Sequence, residues 1–111
     1  MYQLISEQSI YQYFGEDEPE MIKEMVQIIL DTNIKNLKEM NKAPSQEDFK
    51  SIKQCCHKAR PSMIYIGAHN THRTLEEIEN NPDKYQTLNE SLQAQLLAIE
   101  TELHQFLEAL N

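Results

Sequence analysis

Apolar residues recur at steps of three and four along nearly the whole chain, the period of an amphipathic helix rather than a strand. Ser6 is placed to cap a short first helix, with Ile10, Tyr13 and Phe14 on its apolar side and Gly15 at its end. A second helix is expected to begin with Asp17 as N-cap, followed by Glu18, Pro19 and Glu20. Proline loses no hydrogen bond in a first turn, and acids there complement the helix dipole. This helix should reach about Lys42, with Ile22, Val26, Ile29, Leu37 and Met40 as its stripe. Met25, Leu30 and Ile34 broaden the stripe, as suits a helix covered by more than one neighbour.

Ala43-Pro44 interrupts the pattern, and Ser45-Gln46-Glu47-Asp48 is a variant capping box with the shorter acid in third place. The third helix then carries Phe49, Ile52, Cys56, Ala59, Met63 and Ile66 at steps of 3, 4, 3, 4 and 3. Gly67 is placed as the left-handed residue that ends it. His69 to about Asn80 makes a shorter fourth helix with Leu75 and Ile78 inward, and Asn80-Asn81-Pro82-Asp83 is a turn. The last helix runs from about Lys84 to Leu110. It buries Tyr85, Leu88, Leu92, Leu96, Ile99, Leu103, Phe106 and Leu110. No internal repeat, low-complexity segment or interdomain linker divides the 111 residues, so residues 1–111 read as one domain with one core. The expected fold is all-α: an antiparallel four-helix bundle with a short extra N-terminal helix.

Composition narrows the function. The longest apolar run falls short of a membrane span, and Met1-Tyr2-Gln3-Leu4 lacks the basic start and apolar core of a signal peptide. A cytoplasmic location and no membrane partner are therefore expected. Cys55 and Cys56 are adjacent, hence about 100° apart on a helix, and read as reduced thiols at the edge of the core. Eighteen acids against ten bases give a net charge of −8, which repels phosphate backbones and argues against nucleic acid. Within that acidic chain, Lys50, Lys53, Lys58 and Arg60 gather around His57.

His57 lies roughly 130° from the centre of the third helix's core stripe, so it points sideways or outward. Lys53 precedes it by one turn, Arg60 and Pro61 follow by one turn, and Ile64 lies a further turn on. A neutral imidazole nitrogen is a nucleophile near neutral pH, and cations beside it would stabilise an attached phosphoryl group. Ile64 would offer apolar contact to a docking partner. The competing reading is a solvated histidine on a mixed-charge surface. His69 and His72 have a spacing that can seat a metal, but no third ligand lies beside them in the sequence, so no metal site is expected. His104, among Glu102, Gln105 and Glu108, reads as solvated.

The segment resembles the signature of histidine-containing phosphotransfer (HPt) domains, which relay phosphoryl groups in two-component signalling. That family has a basic residue at +3 from its histidine, glycine at +4, a small residue at +5 and glycine at +10. His57 is followed by Arg60, Pro61, Ser62 and Gly67 at those places. Phe14-Gly15-Glu16-Asp17 before a long helix, and Ser45-Gln46-Glu47-Asp48-Phe49 before the histidine helix, resemble the family too, so the likeness covers essentially the whole chain. It implies that His57 accepts a phosphoryl group at Nε2 from a receiver-domain aspartate and passes it to another receiver. The partners implied are receiver domains of a hybrid sensor kinase and of a response regulator. No cofactor is implied for this chain and no ATP site; Mg2+ would sit on the receiver. Arg60 would pair with the phosphoryl oxygens, Lys58 would add charge, and Lys53, Pro61 and Ile64 would face the receiver.

Pro61 departs from the family's glycine. Its nitrogen cannot donate to the His57 carbonyl, and its ring crowds that carbonyl. A local bend or a solvated carbonyl is expected there, with the helix otherwise continuing. A different class of function is a phosphate-free adaptor that docks receivers through Ile64 and the basic rim without accepting phosphate.

Overall fold

The computed structural model describes residues 2–40 and 49–110; every regular element among them is a helix, and no strand occurs among them. Helix α1 (Glu7–Phe14) starts under Ser6, whose Oγ accepts the Ser9 N–H at 3.3 Å, and stops at Gly15 with φ of 96°. Helix α2 (Pro19–Ile29) passes without a break into a π-helical stretch (Leu30–Ile34) and then α3 (Lys35–Glu39). Helix α4 is Phe49–Tyr65, α5 is His69–Asn80, and a single 3-10 turn (Pro82–Lys84) leads into α6 (Tyr85–Leu110). The expected break at Ala43-Pro44, the capping box Ser45–Asp48 and the helix end at Lys42 lie outside the described residues.

One local expectation is corrected. The N-cap of α2 is Glu18 and not Asp17, and no side-chain hydrogen bond closes it. Pro19 at the first helical position presets φ and lacks the N–H that a cap would satisfy, so the helix can start without one. The last helix begins at Tyr85, next to the expected start at about Lys84, once Pro82-Asp83-Lys84 has taken the tighter turn. The sequence pattern also contained no sign of the π-helical stretch. Within it, Thr32 Oγ1 donates to the Ile28 carbonyl at 2.7 Å, and the Asn33 amide donates to Ser62 Oγ on α4.

The core follows the stripes. Ile22, Val26, Ile29, Leu30, Ile34 and Leu37 are buried, as are Ile52, Cys56, Ala59, Met63 and Ile66 of α4 and Leu92, Leu96, Ile99, Leu103 and Phe106 of α6. Burying each large aliphatic side chain is worth about 1.5–3 kcal/mol before entropy is charged against it. Tyr13 is half exposed instead of facing the core, but its ring stacks on Tyr65 at 5.1 Å. Thr71 is fully buried and donates to Gln95 Oε1 at 2.6 Å, so a polar pair joins α5 to α6 where only Leu75 and Ile78 were expected inward.

The end of α4 is set by backbone. Gly67 has φ of 77°; its N–H bonds the Ile64 carbonyl at 3.1 Å, and the Ala68 N–H reaches back to the Met63 carbonyl at 2.8 Å. That pair of bonds is the Schellman arrangement, with Met63 and Ala68 buried together beneath it. The N-terminal segment docks here, with the Ser6 N–H donating to the Ile66 carbonyl at 2.8 Å. A Cβ on Gly67 would lie 2.5 Å from Ser6 Cβ. The same segment is held to α6 by Glu102, whose carboxylate accepts the Gln3, Leu4 and Ile5 N–H groups at 3.1, 2.9 and 3.0 Å.

Candidate functional site

Helix α4 continues through Pro61, so residues before and after it keep one helical register. That register puts the core stripe on one side and leaves Lys53, His57, Lys58 and Pro61 exposed on the other. Ile64 is half-buried, beside a Tyr65 ring that contacts both Tyr13 and Phe14. The covalent consequence of Pro61 falls on His57, whose carbonyl lacks the N–H that any other residue four places on would supply.

The side chain of His57 is 72% exposed. Its Nδ1 stands 3.1 Å from Glu79 Oε2 on α5. Burial opposes ionisation of Glu79, but hydrogen bonds and charge from Arg60 and His57 outweigh it and hold the carboxyl below the usual range. An ionised carboxylate only accepts, so Nδ1 carries the proton in this contact. The neutral ring then has its lone pair on Nε2, which takes no hydrogen bond from any described residue.

Arg60 is more enclosed, with its side chain 27% exposed. Its Nη1 donates to Glu79 Oε1 at 2.7 Å, its Nη2 to Glu76 Oε2 at 3.3 Å, and its Nε makes a long 3.5 Å contact to His72 Nε2. The hydrogen bond to Glu79 raises the guanidinium's already high pKa. One carboxylate therefore joins the histidine and the arginine: Glu79 touches His57 with one oxygen and Arg60 with the other. Lys53 and Lys58 form no ion pair with any described residue.

Ser62, one residue beyond Pro61, is buried against Asn33. Burial pushes the Cys56 thiol up to about 12, so it is a core residue and not a nucleophile. Burial also raises Cys55, partly offset by the charge of Lys58. Among the described residues no three His, Cys, Asp or Glu side chains are grouped to hold a metal ion, and His69 and His72 are no exception. No helix of the described residues is long and apolar enough to cross a membrane.

Glu76 and Glu79 are the members of this side-chain cluster that periodicity passed over. The signal was present but faint: each follows an inward residue, Leu75 or Ile78, by one position, so both stand on the flank of α5 that meets a neighbour. Which neighbour they meet depends on how α5 lies against α4. No family model, curated protein or solved structure matches the chain.

Proposed function

We propose that this chain is a phosphorelay intermediate of the HPt type, an antiparallel four-helix bundle preceded by a short helix, with His57 as the residue that takes and gives the phosphoryl group. The observation that carries the reading is the ring of His57: a 72% exposed imidazole whose Nδ1–H faces Glu79, which leaves Nε2 as the nitrogen with the lone pair. An aspartyl phosphate on a receiver domain is the donor. The Nε2 lone pair forms the N–P bond, the acyl O–P bond breaks, and the aspartate leaves as a carboxylate. The ring keeps its Nδ1 proton and becomes cationic, and Glu79 lies where that charge develops. No acid or base on this chain needs to move a proton, which suits phosphoryl transfer governed by positioning and charge.

The receiver supplies Mg2+ and the acidic pocket; Pro61 and Ile64 offer it a compact, partly apolar surface, with Lys53 and Lys58 on the basic rim and Arg60 between His57 and α5. A cytoplasmic setting, where receivers of a hybrid sensor kinase and of a response regulator are found, fits this role. The test is phosphotransfer profiling against phosphorylated receiver domains of the source organism. Acid-labile, base-stable label should appear on His57 and be absent from His57→Gln. Full labelling of that variant would sink the assignment, and stable receiver binding without label would favour the phosphate-free adaptor.

A further inference from the structure

We propose that the cation neutralising the phosphoryl group on His57 is Lys53, and that Arg60 acts as a positioning residue that holds Glu79 against Nδ1. The proposal rests on the phosphorelay reading of His57 and redistributes the charges around it. All three guanidinium nitrogens of Arg60 already have partners, two of them carboxylates at 2.7 and 3.3 Å. One cation between Glu76 and Glu79 makes a cluster of net negative charge, which repels an incoming phosphoryl group. Turning Arg60 toward Nε2 would break its bond to Glu79 and loosen the contact that fixes the histidine tautomer.

Lys53 has no such ion pair among the described residues. It lies four residues before His57 on the same exposed face of α4, and side chains so spaced on a helix are neighbours. Helical side chains lean toward the helix N-terminus, so the imidazole leans over the turn that carries Lys53. Lys58 is adjacent in sequence and therefore about 100° round the helix, where neighbouring positions do not face each other. Its charge is felt by Cys55. In the transfer step, the N–P bond forms at Nε2 and the donor bond to phosphorus breaks. The ammonium of Lys53 then offsets the charge on the phosphoryl oxygens, while the ring charge is offset by Glu79.

The experiment loads the full chain in two arms, with a phosphorylated receiver and with potassium phosphoramidate, whose P–N bond breaks with ammonia leaving. Lys53→Gln should load about tenfold more slowly from either donor, Lys53→Arg should restore most of the rate, and Lys58→Gln should lose several-fold less than Lys53→Gln in the phosphoramidate arm, where no receiver docks. Arg60→Ala should shift the His57 ring 15N signals away from a single Nδ1–H tautomer, a change that mere loss of packing would not cause. A wild-type rate in Lys53→Gln, or a larger loss in Lys58→Gln, overturns the lysine assignment while leaving His57 as acceptor. An unchanged tautomer in Arg60→Ala overturns the positioning role. A wild-type chain that takes label from neither donor overturns the phosphorelay reading and this proposal together.

Discussion

At the exposed edge of their packing, helix α4 meets α5 through charge, and at its C-terminal end it meets the N-terminal segment through backbone. On the first seam, Arg60, Glu76, Glu79 and His57 touch by their side-chain tips, partly in solvent. On the second, the Ser6 N–H bonds the Ile66 carbonyl while Gly67 leaves no space for a Cβ. Side-chain tips can shift by an ångström at little cost, whereas packed backbone cannot. The tolerant seam is the one that carries the candidate chemistry, and the rigid seam anchors the end of the same helix.

The contrast makes ordered predictions. Gly67→Ala should be the most damaging change, because the new methyl would meet Ser6 Cβ at 2.5 Å and Ser6 N at 2.9 Å in a left-handed conformation. We expect a loss of about 3 kcal/mol, seen as a lower urea midpoint at unchanged slope. A midpoint equal to wild type would show that the N-terminal segment is not seated as described. Glu102→Ala should come next, at about 2 kcal/mol, because three backbone N–H groups lose a carboxylate acceptor. Hydrogen exchange at Gln3, Leu4 and Ile5 should quicken with it, and unchanged protection would count against the tether.

On the charged seam the effects should be smaller. Glu79→Gln should cost about 1 kcal/mol at neutral pH. The folded-state carboxyl of Glu79 titrates below its ordinary value, so its contribution is present above an unfolded value of about pH 4.3 and lost as pH falls through the lower folded one. Wild type and Glu79→Gln should therefore converge in stability on acidification, and a constant difference down to the acid limit would break this reading. His57→Gln should be the mildest change in stability, within about 0.5 kcal/mol, because the ring is exposed and makes one side-chain hydrogen bond among the described residues. A large drop in its melting temperature would mean that His57 belongs to the scaffold.

Much of the fold was legible because helical periodicity records burial directly. The stripe from Ile52 to Ile66, the cap at Ser6 and the left-handed Gly67 all follow from local rules, and each has its expected place. The misses have two kinds of cause. The N-cap at Glu18, the π-helical stretch beside Asn33 and the buried Thr71–Gln95 pair each answer to a neighbour distant in sequence or to a competing local rule. The candidate site was half legible: the outward setting of His57, Lys53 and Pro61 came from the same register as the core, while Glu76 and Glu79 did not.

The order of residues was enough to determine an all-helical chain, the side of α4 that is buried and the side that carries His57, because a helix fixes the angles between its own residues. Tertiary structure decided what His57 and Arg60 touch. Glu79 is 22 residues from His57 and 19 from Arg60, and only the packing of α5 on α4 brings one carboxylate to both. It also gave Gly67 its second constraint: the turn requires the left-handed backbone, but the close approach of Ser6 is a contact between segments that no local pattern encodes.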